Sequence, residues 1–240
     1  NFTYYDTYFI EKRSFFLENA TLFDTPIDLF HTRRIGGNPN YQLGQYDESK
    51  SALVLGAAKI TGKSNFLGME GFSYGFVAAN TTSQKRQNES DNLFSFDLSQ
   101  PKHNYFISRL TKDFFSGNSY MGLMTTTFKN DDKYSSVVSY DGMYNLLNNR
   151  LFIDSQIIYS MSEENGLGAF VEFEYSIPNF IQFGSNIEYY DKDLEINDIG
   201  YLIRNDLLKV NNSFMYHNDI LLLNYKIRSF SAGINHIFAK

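Results

Sequence analysis

From position 51 onward the chain alternates apolar with polar residues in runs of about ten, the rhythm of strands with one face in each environment. Tight joints fall at 63–66, 115–118, 147–150, 178–179 and 217–219. Longer polar joints fall between them, at 81–102, 129–134, 162–166 and 191–206. Short and long joints take turns, so all tight turns lie at one end of the strands and all long loops at the other. The run at 167–177 sets Leu167, Ala169, Val171, Phe173, Tyr175 and Ile177 against Gly168, Glu172, Glu174 and Ser176. The next run sets Ile181, Phe183, Ile187 and Tyr189 against Gln182, Asn186 and Glu188. With residues 1–10 as a further strand, the pattern predicts an all-β, up-and-down antiparallel transmembrane β-barrel, partial, of about 10–11 strands.

A soluble sandwich also alternates. Three features favour the barrel. The runs match the roughly 9–11 residues of a tilted membrane strand, the loops sort by length, and Tyr and Phe recur near strand ends. The absence of Trp counts against it. No apolar run approaches the ~20 residues of a spanning helix, so only strands could cross a bilayer.

Residues 11–50 break the rhythm. They have weak periodicity, Pro26, Pro39 and a Gly36–Gly37 pair, yet carry Phe15, Phe16, Leu17, Leu22, Phe23, Ile27, Leu29 and Phe30. Such a loop needs something to pack on. With the tight turns periplasmic, it starts and ends on the outer side, and is expected as a long outer or lumen-packed loop constricting the barrel mouth. The whole of 1–240 then reads as one outer-membrane barrel domain.

Net charge is −6, which removes nucleic acid as a partner because phosphate binding needs a basic footprint. The absence of Cys removes disulfides and thiolate metal sites. His31, His103, His217 and His236 share no ligand spacing, so no metal or other cofactor is expected. Lys12, Arg13, Arg33 and Arg34 form the densest positive cluster of the loop. They are read as a ligand-binding or lumen-constricting element, or as cations that pin the loop. Glu172, Glu174 and Glu188 share the polar face of neighbouring strands. Alternate strand residues lie about 7 Å apart, a spacing open to paired carboxylates, but lumen-facing acids are ordinary in barrels. No residue is assigned as catalytic.

Four ordered stretches carry a resemblance: EKRSFFLENATLF at 11–23, LFHTRRIGG at 29–37, LGAAKITGK at 55–63 and INDIGYLIRNDLL at 196–208. They resemble the family labelled domain of unknown function 5916. The chain departs from it at Ile10 and Ser14, where the family usually has prolines, and at Asn19, where it usually has Gly. The resemblance implies an outer-membrane β-barrel of a Gram-negative bacterium. It also implies an N-terminal sandwich similar to family 9 carbohydrate-binding modules, here absent, and further strands beyond Lys240, so that the missing remainder of the chain is a partner. Outer-membrane lipid and a saccharide or peptide solute are the other expected partners. The expected role is passage or docking of that solute through a polar lumen. An anchor for the carbohydrate-binding module and a membrane-associated hydrolase are the alternatives.

Overall fold

The long alternating runs form β-strands in the computed structural model, which describes residues 10–36, 53–66, 69–86, 98–100, 102–178, 180–222 and 225–239. The strands are β1 (Val54–Phe66), β2 (Met69–Thr81), β3 (Gln84–Arg86), β4 (Leu98–Gln100), β5 (Asn104–Phe114) and β6 (Ser119–Lys129), followed by β7 (Tyr134–Leu146), β8 (Leu151–Met161), β9 (Asn165–Ile177), β10 (Ile181–Tyr190), β11 (Leu207–Leu222) and β12 (Tyr225–Ala239). Ten of them build one sheet in the order β1-β2-β5-β6-β7-β8-β9-β10-β11-β12, while β3 and β4 pair as a small hairpin inside the β2–β5 connection. Neighbours along the sheet are antiparallel, so the topology is an up-and-down meander. Strands β1 and β12 are its edges, and no ladder joins them among the described residues. The strand expected over 1–10 lies outside the described residues except for Ile10, which is not in a strand.

Two tight turns sit later than the sequence implies. Lys63 and Ser64 pair with Ser73 and Phe72, so β1 runs on to Phe66 through a register shift. The polar triplet at 217–219 is likewise no turn: β11 continues to Leu222, and an irregularity between His217 and Ile220 absorbs it. A bulge keeps a polar interruption inside a ladder, which alternation alone reads as a break.

The two faces of the sheet have opposite chemistry. One cross-strand row on the outer face runs through Leu110, Leu123, Tyr140, Ile157, Ala169 and Tyr189. The neighbouring inner row runs through Thr111, Gly122, Asp141, Gln156, Phe170 and Glu188. It is the apolar face that is exposed: Leu123 is 52% and Ile157 55% accessible, whereas Asp141 is 0% and Gln156 1%. Hydroxyls on the outer face pair with one another, Ser108 with Thr125 at 2.7 Å, Thr127 with Ser136 at 3.2 Å and Tyr140 with Tyr144 at 3.0 Å.

The inner face is not polar throughout. Toward the loop end it carries Val77, Ile107, Met124, Val137 and Ile158, all buried. They meet Phe16, Phe23, Ile27, Leu29 and Ile35 of residues 10–36, and Leu194, Ile196 and Ile199 of the β10–β11 connection. The hydrophobic core therefore lies between the sheet and these two segments. No helix among the described residues is long and apolar enough to cross a membrane.

Candidate functional site: the inner face and its insert

Residues 10–36, the insert, descend along β1, cross the middle of the sheet and return toward the loop end. A short helix, Ser14–Leu17, and two 3-10 turns, Ala20–Phe23 and Thr32–Arg34, are joined by extended residues. Asn19 takes the left-handed conformation at the lowest bend, a place that Asn tolerates better than most residues.

Side chains from three strands hold the insert by its main chain. On β1, Lys59 donates to the Phe15 carbonyl at 2.6 Å and to the Glu18 carbonyl. On β5, Arg109 Nε donates to the Leu22 carbonyl at 3.2 Å. On β8, Gln156 Oε1 accepts the Ile27 N–H at 2.5 Å, while its Nε2 donates to Ser139 at 2.9 Å. The remaining guanidinium nitrogens of Arg109 make a two-pronged bond to Asp141, Nη2 to Oδ2 at 2.6 Å. Arg109 and Asp141 are two strands apart. Gly122 of the intervening β6 leaves the passage, since a Cβ there would lie 2.7 Å from Arg109 Nη1. The returning limb of the insert is zipped to the β10–β11 connection: His31 N–H donates to the Ile199 carbonyl at 2.9 Å and Tyr201 N–H to the Asp28 carbonyl at 2.8 Å. That connection is fastened to the sheet by Asp198, which accepts from Lys133 at 2.9 Å and Ser135 at 2.5 Å.

Of the four cations singled out in the sequence, three face their own segment or its neighbour. Arg13 bonds Glu11 at 2.6 Å and the carbonyls of Thr32 and Ile35 at 2.7 Å each, and lies over the Phe16 ring. Arg33 donates to the Ile10 carbonyl at 3.0 Å. Arg34 donates to the Gly200 carbonyl at 3.2 Å. Lys12 is exposed. The three acids lie on β9 and β10. Glu172 is exposed, Glu174 accepts from Gln182 at 2.7 Å, and Glu188 pairs with Lys209 at 2.8 Å. The structure thus keeps the cations and the acids apart. Lys59, Arg109 and Gln156 hold the insert and Asp141 holds Arg109; none of them is a candidate site residue from the sequence.

Below the lowest bend of the insert a cavity of 480 Å³ opens toward the tight-turn end, walled by Asp24, Lys63, Arg109, Thr111, Asp113 and Tyr120. Lys63 stands 4.0 Å from Asp113 across it.

Two carboxyl groups of the insert respond to pH in opposite senses. Burial pushes the Glu11 carboxyl up, but hydrogen bonds from the Arg13 side chain, Thr32 and the Arg13 N–H, with the Arg13 charge, outweigh it and hold the group at about 2. Its folded value lies below its ordinary 4.5, so it stabilises the seated insert above pH 4.5 and loses that effect as pH falls toward 2. Burial raises Asp28 to about 6, aided by Asp24 and opposed by the Phe30 N–H and Arg34. That folded value lies above 3.8, so its contribution is full below 3.8 and disappears as pH rises through about 6. We therefore expect Asp28→Asn to slow amide exchange in the insert at pH 7 and to leave it unchanged below pH 3.8. Glu11→Gln should speed that exchange at pH 7 and have no effect near pH 2. Exchange profiles corrected for intrinsic rates check both, and a shared sign at pH 7 would refute the assignment.

A family model described as domain of unknown function (DUF5916) matches residues 1–236, and the chain belongs to that family. No curated protein and no solved structure matches it.

Proposed function

We propose that this member of the domain of unknown function 5916 family is the wall of an outer-membrane β-barrel in a Gram-negative bacterium, and that its polar interior serves the passage or docking of a saccharide or peptide solute. One observation carries the reading: over β2 to β8 the exposed face of the sheet is the apolar one and the polar face is covered. In water, exposing Phe76, Phe106, Leu123, Val138, Ile157 and Val171 side by side is unfavourable, at roughly 25 cal/mol per Å² of apolar surface. Against lipid the same face is at home. Polar groups facing hydrocarbon must find partners within the protein, and the paired hydroxyls of that face do so. Strands of 10 to 16 residues suffice to span the hydrocarbon layer with tilt. Tight turns at one end and longer loops at the other match the periplasmic and outer ends of such barrels. Among the described residues the outer edges of β1 and β12 have no partner strand, and a barrel requires other strands of the same polypeptide to pair with them.

The test is a pair of arginine substitutions in the full-length protein folded into phospholipid vesicles. Leu123→Arg, in mid-strand on the outer face, should cost about 2–4 kcal/mol of folding free energy. Ser213→Arg, on the inner face, should cost far less. Equal costs, or a full-length protein that remains monodisperse in buffer without detergent, would remove the membrane reading.

A further inference from the structure

The insert covers only part of the inner face. Beneath it, on β2 to β8, Ile107, Met124 and Ile158 are 0% accessible and Ser139 1%. On β9 to β11 the picture changes. Glu172, Gln182, Ser213 and Met215 are exposed on the inner side and lie outside the buried cluster that the insert forms with the sheet. Four successive cross-strand rows make a polar ladder here. From the tight-turn end they hold Ser176, Gln182 and Met215, then Glu174, Gly184 and Ser213, then Glu172, Asn186 and Asn211, then Phe170, Glu188 and Lys209. Rows on one face are about 7 Å apart, so the ladder reaches through much of the span. Carboxylates, amides and two hydroxyls dominate it, with Phe170 and Met215 as its apolar members. The Oδ1 atoms of Asn186 and of the neighbouring Asp154 are buried and have no hydrogen-bond partner among the described residues. A cavity of 310 Å³ lies at its lower end, beside Gln182, Ser213 and Met215.

The insert itself is held at points spread from β1 to β8, through Lys59, Arg109 and Gln156. Withdrawing it would break the bonds of Lys59, Arg109 Nε and Gln156 to its main chain and expose the apolar cluster that Phe16, Phe23, Ile27 and Leu29 form with the sheet, which is costly. Resting on the passage reading above, we propose that small hydrated solutes move along the β9–β11 strip, beside a seated insert, and not through the space the insert fills. The insert is then a fixed filler that narrows the lumen from one side, and the strip sets what passes.

The 240 residues contain no Cys, so placed thiols report on single positions. The experiment uses full-length protein, cleared of any thiol elsewhere in the polypeptide, in planar bilayers with potassium chloride as the probe. Asn19→Cys with Thr61→Cys, positions joined by a 3.0 Å side-chain hydrogen bond, lets a short bis-maleimide tether the insert to β1. Tethering should leave conductance unchanged. Modifying Ser213→Cys with a charged, water-soluble thiol reagent should abolish most of it, and Met215→Cys serves the same purpose if the first variant folds poorly. Ser139→Cys, beneath the insert, should not react in the native protein. Conductance lost on tethering, or kept after Ser213→Cys or Met215→Cys is modified, would overturn the side path. Failure of Ser213→Cys and Met215→Cys to react would overturn it too, by showing another part of the polypeptide on the strip. A protein that conducts nothing before any modification removes passage itself, and the side path with it, while the arginine pair still judges the membrane reading.

Discussion

Asp141→Ala should destabilise the folded protein by about 3–5 kcal/mol, because it leaves the Arg109 guanidinium buried without its counter-charge. Both side chains are sealed from solvent, at 2% and 0% exposure. Neither can turn outward for rescue, since the insert lies above and the sheet below. The loss is also not local. Arg109 reaches the Leu22 carbonyl with the nitrogen that Asp141 does not use, so an arginine that shifts in search of a partner releases the lowest bend of the insert. Replacing the pair together, Arg109→Met with Asp141→Leu, removes the unpaired charge and should recover much of the loss, as apolar replacements of buried ion pairs do elsewhere. Urea unfolding of the vesicle-bound protein reads both. A single variant within about 0.5 kcal/mol of the parent would mean that the ion pair does not bear on folding.

The second large effect is expected at Gly75. A Cβ there would stand 2.6 Å from the Phe23 ring and 2.8 Å from a Leu22 methyl, so the insert packs directly on this position of β2. Gly75→Val suits a strand, and by propensity alone it favours β2 by up to about 1 kcal/mol. Against that, the added methyls need space that Phe23 fills, and overpacking a tight core costs about 1–3 kcal/mol. The sheet ladder is continuous on both sides, with Thr61 opposite on β1 and Arg109 on β5. The insert is the softer partner, so it gives way. Amide exchange over residues 14–24 should accelerate roughly 5- to 150-fold, the range that 1–3 kcal/mol corresponds to, while β2 itself keeps its protection. Ser108→Val, on the outer side of the neighbouring strand, is the control. Unchanged exchange in the insert would show that the close approach is not sustained in solution.

Much of the sheet was legible because strand periodicity is local. A face is fixed by every second residue, and Val171 and Phe173 of β9 could be set against Glu172 and Glu174 without knowing any neighbour. The meander followed from joint lengths. What alternation could not give is register between strands, and the inner face is made of register. Arg109 meets Asp141 across an intervening glycine, 32 positions apart in sequence, and no spacing rule connects them. The turns at 63–66 and 217–219 were misplaced because polar residues inside a ladder resemble a turn until the pairing is seen. The arginines of the insert were conspicuous in sequence by their density. Their partners are mostly main-chain carbonyls, which composition cannot register.

The grip of β8 on the insert bears on how the chain folds. Ile27 precedes its partner Gln156 by 129 positions, and Arg34 reaches Gly200, 166 positions later. Synthesis therefore delivers the filler long before its socket exists. Closing loops of that length delays a contact, and residues with such distant partners dock late. Phe23 meets β2 early, but until β8 and the β10–β11 connection have been laid down Ile27 and Leu29 lack their partners, and a vectorially emerging chain must carry these greasy side chains uncovered through most of the sheet's assembly.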